Sequence, residues 1–132
     1  MRPNVKTRVL LVKHWMECHD RGVKSVIAIL RDAGFEVVYV VYMQPEEVVA
    51  AAVEEDVDVI GMSFSTGAYD VHVPKVMKSL RAKGMGDVMV LVGGLIPDED
   101  IYWLKKQGIR DVFGAGSDLN QLITLVGTAP RR

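Results

Sequence analysis

Cysteine is all but missing: Cys18 stands alone among 132 residues, so no internal disulfide can staple the chain. A zinc site built on spaced Cys pairs, which wants about four ligands, has no second thiolate to draw on. A lone cysteine beside seven methionines fits a reducing compartment. An excess of one charge is lacking too. Sixteen Lys and Arg against 17 Asp and Glu leave a net charge of −1, with the bases spread along the chain. The basic stripe that a nucleic-acid surface requires is therefore absent. No apolar run is longer than a strand, well short of the ~20 residues of a membrane helix. Met1 to Arg8 carries charge and leads into no apolar stretch with a small-residue cleavage site. Repeats and low-complexity tracts are also missing. The expectation is a cytoplasmic protein that engages neither nucleic acid nor membrane.

What is present is an ordinary balance, 49% apolar and 25% charged, in a length that supports one domain with a real core. That domain is expected to span residues 1–132, with its core at about 8–126 and a frayed tail at 127–132. Short runs rich in Val, Leu and Ile recur at Arg8–Lys13, Glu36–Val41, Val57–Ser63, Asp87–Gly93 and Arg110–Phe113. They are near-continuous rather than alternating, as strands are when both faces of a parallel sheet are covered. Helical patterns lie between them. Gly22–Ala33 carries Val23, Val26, Ile27 and Leu30 on one face and stops at Gly34. Pro45–Glu55 and Pro97–Gln107 open with Pro and acids, which suit the positive end of a helix dipole. Asp70–Lys83 ends at Gly84, and Asp118–Val126 is the last.

Five strand–helix units with short loops imply a doubly wound α/β fold: a flavodoxin-like five-stranded parallel sheet in the order 2-1-3-4-5. Ligands of such folds bind beyond the carboxyl ends of the strands, where strand order reverses. The loops there exclude several chemistries. The first carries no Gly-x-Gly-x-x-Gly for a dinucleotide and no Ser/Thr-Gly phosphate loop. Val9–Lys13 has no acidic cluster, and Ser63 stands where a phosphoacceptor Asp would end the third strand.

The loop after the first strand is Lys13-His14-Trp15-Met16-Glu17-Cys18-His19-Asp20-Arg21-Gly22. It is long for its place and concentrates ligand chemistry on the rim where the fold puts its site. A single loop His is more often a surface group than a ligand, and His14 reads as a rim residue. Cys18 with His19 as a nucleophilic pair is poorly placed, because neighbouring residues rarely point at each other.

The string Glu17-x-His19-x-x-Gly22 resembles the Asp-x-His-x-x-Gly motif of cobalamin-binding domains. His19-Asp20-Arg21-Gly22 and Arg31-Asp32-Ala33-Gly34-Phe35-Glu36-Val37 look like the acyl-CoA mutase branch, that of methylmalonyl-CoA mutase and its isobutyryl and 2-hydroxyisobutyryl relatives. The resemblance runs from about Arg8 to Val126. It implies cobalamin bound with its own benzimidazole base displaced and His19 as the lower cobalt ligand. Glu17 would hold the other imidazole nitrogen, and Lys13 would complete the relay, fixing the tautomer and raising the basicity of the ligating nitrogen.

The displaced nucleotide tail needs small residues where backbone and ligand meet. Ser63 fits the family's Ser-x-Leu, and Gly93-Gly94 would let the tail pass. Phe113-Gly114-Ala115-Gly116-Ser117 matches an aromatic-Gly-x-Gly-Thr pattern. The cofactor-binding set so implied is Lys13, Glu17, Cys18, Asp20, Arg21, Gly22, Val26, Ser63, Ser65, Gly67, Gly93, Gly94, Phe113, Gly114 and Ser117, with His19 on the metal. The chain departs from the family at Glu17 (Asp), Cys18 (Gly), Trp15-Met16 (Gly-Leu) and Ser65 (Leu). The extra methylene of Glu17 alone moves the carboxylate by roughly 1.5 Å, one carbon–carbon bond.

No acyl-CoA-binding barrel fits in 132 residues. The resemblance thus implies the small subunit of an adenosylcobalamin-dependent acyl-CoA mutase, inactive alone and paired with a large subunit. The alternatives are a carrier, methyl-transfer or sensor module without mutase activity, or a degenerate homologue that has lost its cofactor.

Overall fold

A computed structural model of the chain describes residues 6–17, 21–65, 67–114 and 116–130. The apolar runs form strands β1 (Arg8–His14), β2 (Glu36–Tyr42), β3 (Val59–Phe64), β4 (Met89–Gly94) and β5 (Asp111–Phe113). All pair in parallel, in the order β2-β1-β3-β4-β5, the flavodoxin-like arrangement expected from the sequence. Successive side chains of a strand face opposite ways. Leu10 and Val12 of β1 therefore enter one core cluster, and Val9 and Leu11 enter the other. Both faces being buried is why the run carries no polar alternation.

Helices α1 (Arg21–Asp32), α2 (Pro45–Glu55), α3 (Tyr69–Ala82), α4 (Asp98–Lys106) and α5 (Leu119–Gly127) supply those covers. On one face α2, α3 and α4 bring Val48, Val76, Leu80 and Leu104 against the sheet. On the other, α1 brings Val23, Ile27 and Leu30, and α5 brings Leu122 and Val126. Each such side chain, fully buried, contributes about 1.5–3 kcal/mol. Helix ends follow local chemistry. Gly34 has φ +98° after α1, and Phe35 N–H closes the end on Leu30 O at 3.1 Å. The Gln44 N–H donates to Glu47 Oε2 at 2.8 Å before Pro45 opens α2. Asp118 Oδ1 accepts from Asn120 N–H at 2.9 Å to start α5.

Several boundaries differ from the sequence reading by a residue or two. Val57 and Asp58 precede β3 rather than belonging to it. Asp58, 0% exposed, engages β1 through its carboxylate, which accepts from Arg8 N–H at 2.9 Å, and through its own N–H, which donates to Arg8 O at 2.9 Å. Strand β1 runs one residue further than expected, to His14, and β2 to Tyr42, because the two strands pair along their whole length. The tail read as frayed from residue 127 stays attached for longer: Gly127 closes α5, and Ala129 is buried against the cluster on the α1/α5 face.

Candidate functional site

The strand order reverses between β1 and β3, and their carboxyl ends lie side by side with Lys13 in register with Ser63. Beyond β1 the chain turns at once. The N–H of Trp15 donates to Tyr42 O and that of Glu17 to His14 O, each at 2.9 Å. The turn throws Trp15 and Met16 outward, 54% and 67% exposed, and buries Glu17 to 7%. The Glu17 carboxylate is received by the loop after β3. Oε2 accepts from Ser65 N–H at 3.1 Å, and Oε1 accepts from the Ser65 hydroxyl in a short contact. Lys13 is buried close by, yet among the described residues no ion pair joins it to Glu17. Cys18, His19 and Asp20 lie outside the described residues.

A cavity of about 280 Å³ runs between the sheet and the α1/α5 layer, from Val9 and Val59 out to Gly94 and Leu95 at the strand ends. Its volume is at the small end of ligand pockets, and its lining is overwhelmingly apolar, with Ser63 as the polar side chain on the sheet side. Gly61, Gly93 and Gly94 floor it, Val23 and Val26 wall it from α1, and Leu119 and Leu122 wall it from α5.

The glycines have different reasons for being glycine. At Gly94, with φ +126°, a Cβ would fall 1.6 Å from Phe64 O, so the fold itself forbids a side chain. At Gly61 a Cβ would meet Leu11 Cδ2 at 2.5 Å, and at Gly93 it would come within 3.3 Å of Phe113 O. At Gly22, in the first turn of α1, it would meet nothing within 4 Å. Gly22 borders the cavity, and no neighbour explains its lack of a side chain.

Of the residues singled out in the sequence, Gly22, Val26, Ser63, Gly93, Gly94, Phe113 and Gly114 are brought together around this cavity. Glu17 and Ser65 are joined to each other and are not in its lining. Lys13, Arg21, Gly67 and Ser117 do not line it; the Ser117 hydroxyl instead accepts from Gly114 N–H at 2.9 Å and shapes that loop. The sequence reading missed the deeper walls, Leu11, Leu91, Leu119 and Leu122. The period-two parity of β1 and β4 and the spacing of Leu119, Leu122 and Val126 hold the signal for them.

On the opposite face, at the same end of the sheet, is an aromatic cluster. The His14 ring lies 5.0 Å from His72 and 5.3 Å from Tyr42. His14 Nδ1 accepts from Met16 N–H, which leaves the proton on Nε2 to be donated to Met43 O at 3.1 Å. His14 thus holds the rim together. His72 Nδ1 bonds the Tyr42 hydroxyl at 2.8 Å. Burial lowers the His72 pKa below its ordinary 6.5, His14 and Lys75 push the same way, and Asp70 opposes them. The Tyr69 hydroxyl donates to Asp100, a bond that, with burial and nearby acids, pushes the phenol up to about 12. Among the described residues no group of three or more His, Cys, Asp or Glu is placed to hold a metal ion. No helix among them is long and apolar enough to cross a membrane.

The profile of the B12 binding domain matches residues 7–123. The 2-hydroxyisobutanoyl-CoA mutase small subunit of Aquincola tertiaricarbonis is 48% identical over 106 residues, covering 80% of this chain and 78% of that protein. The pivalyl-CoA mutase small subunit of Xanthobacter autotrophicus is 45% identical over 120 residues, covering 90% and 80%. Among solved structures, a cobalamin-binding protein from Desulfitobacterium hafniense superposes with a TM-score of 0.76 at 17% identity, over 92% of this chain and 58% of that one, a likeness of fold.

Proposed function

Because this chain belongs to the B12-binding domain family, in the branch of the acyl-CoA mutase small subunits, we propose that it binds adenosylcobalamin base-off for a branched acyl-CoA mutase. The observation that carries the reading is the apolar cavity at the carboxyl ends of the strands, floored by Gly61, Gly93 and Gly94 and bordered by Gly22, whose missing side chain no neighbour explains. Its residues fit a nucleotide tail: a flat heterocycle buries apolar surface against Val23, Val26, Leu119 and Leu122, and Ser63 offers a polar contact. His19 is the proposed lower ligand of the cobalt. Glu17 holds its second ring nitrogen and fixes the tautomer. Lys13, buried at the end of β1, adds positive charge near that relay. Arg21, Gly67, Phe113, Gly114 and Ser117 shape the loops around the cofactor, with Cys18 and Asp20 flanking the ligand.

When bound, the cofactor supplies radical chemistry for carbon-skeleton rearrangement. This chain's task would be to bind it, to keep water from the bound tail and to supply His19 to the cobalt. Trp15, Met16, Met43 and Leu95, all more than half exposed, form an apolar rim at the strand ends that suits cover by the corrin and a large subunit. That subunit would hold the acyl-CoA, whose class is suggested by the 2-hydroxyisobutanoyl- and pivalyl-CoA of the relatives' names. The cytoplasm is the proposed location.

The test is reconstitution of the full chain with a mutase large subunit, adenosylcobalamin and a branched acyl-CoA. Turnover is expected from the mixture, from neither protein alone, and not from the mixture carrying His19→Ala. A large subunit that turns over equally well without this chain would overturn the proposal.

A further inference from the structure

Glu17 is a carboxylate buried to 7% exposure, and both its oxygens accept hydrogen bonds from one residue, Ser65, 48 positions away on the loop after β3. An ionised carboxylate taken from water needs its lone pairs met. It has about four acceptor sites, and Ser65 fills two of them from one side. Each donor makes a separate demand. The backbone N–H at position 65 serves any residue but proline, whereas the bond to Oε1 needs a hydroxyl. Glu17 in turn needs its full length: shortening it by a methylene withdraws the carboxylate by roughly 1.5 Å, enough to break both bonds. These two positions are also among those where the chain departs from the motif it resembles, by a longer acid at 17 and a hydroxyl at 65.

Resting on the cobalamin reading above, we infer that Ser65 is a positioning residue matched to Glu17. Its two donors fix the longer carboxylate at the place from which it holds the His19 imidazole. The two departures are then one change made in two parts. A short acid reaches the imidazole without help from position 65, and a long acid works when a hydroxyl sets its place. Ser65 acts only through Glu17 and touches no reacting atom.

The experiment is a double-mutant cycle on the full chain with Glu17→Asp, Ser65→Leu and both together, and with Ser65→Thr as the conservative variant. Two readouts are taken: urea unfolding without cofactor, and cobalamin affinity together with the fraction of cob(II)alamin carrying a protein nitrogen by EPR. Ser65→Leu is expected to weaken binding about 10-fold, the low end for a residue supporting a metal ligand, and to lower the protein-ligated fraction, whereas Glu17→Asp, whose short acid needs no help from position 65, should stay within about threefold of wild type. The double variant should recover to within about threefold of wild type, as should Ser65→Thr, since effects within one hydrogen-bonded pair do not add. Losses that simply multiply in the double variant, or an unchanged EPR signal in Ser65→Leu, would overturn the inference. A wild-type chain that binds no cobalamin would bring down the site reading and this role together. Normal cobalamin binding with additive losses would bring down this role alone. The cofactor-free cycle separately reports whether the two side chains are coupled in the fold.

Discussion

Gly22→Ala is expected to make the unliganded protein more stable and its cobalamin complex weaker. Gly22 is the second residue of α1, and the space where its Cβ would stand is empty to 4 Å. Alanine in a helix is favoured over glycine by roughly 0.5–1 kcal/mol because it restricts the unfolded chain. In the first turn the low end applies, so the gain is about 0.5 kcal/mol, on the order of 2 °C in Tm for a chain of this size. The same methyl projects beside the cavity that Gly22 borders. One methyl group in the way of a fitted ligand costs about 1–3 kcal/mol; at the lower end, Kd rises about 10-fold. Thermal unfolding without cofactor and an optical titration with cobalamin measure the two halves on one preparation. A fall in Tm would mean the Cβ space is not open. An unchanged Kd would mean that the ligand does not approach α1 here and that the cavity has been given the wrong occupant.

Gly94→Ala should act in the opposite sense. A left-handed backbone costs about 1–2 kcal/mol per non-glycine residue, and the Cβ overlap with Phe64 O raises the loss to roughly 3 kcal/mol by urea unfolding; a loss under about 1 kcal/mol would contradict the β3–β4 geometry. Asp58→Ala leaves the part-buried N–H of Arg8 without its carboxylate acceptor and should cost roughly 1–3 kcal/mol in the same assay, a neutral effect refuting the bond. His72 gives a pH dependence. Its folded pKa lies below 6.5, so below that value the unfolded chain takes up a proton that the folded chain resists. Stability falls as pH drops from about 6.5 through the folded pKa and is flat in this respect above. Urea midpoints measured across that range should show a steeper acid loss for wild type than for His72→Gln, and identical slopes would refute the assignment.

The fold was legible because its elements are written locally. Pro45 and the glutamates after it mark the start of α2, and its observed span matches the sequence reading at both ends. Continuous runs such as Val9–Val12 mark strands buried on both faces. Val57 and Asp58 misled because they are buried like strand residues, while Asp58 spends its carboxylate on Arg8. In the site, the glycine-bearing loops could be read, since every carboxyl end of a parallel sheet comes to one edge. The meeting of Glu17 with Ser65 could not, because it depends on β1 and β3 being neighbours and on a turn that reverses the chain after His14. Sequence spacing says nothing of a contact made across 48 residues.

The central claim, that this chain offers a protein nitrogen to cobalt, is tested most directly by EPR of cob(II)alamin bound to protein labelled with nitrogen-15 histidine. The account predicts that the axial nitrogen splitting changes with the label and disappears in His19→Ala. A splitting that is indifferent to the label, with the nitrogen still that of the benzimidazole, would contradict it.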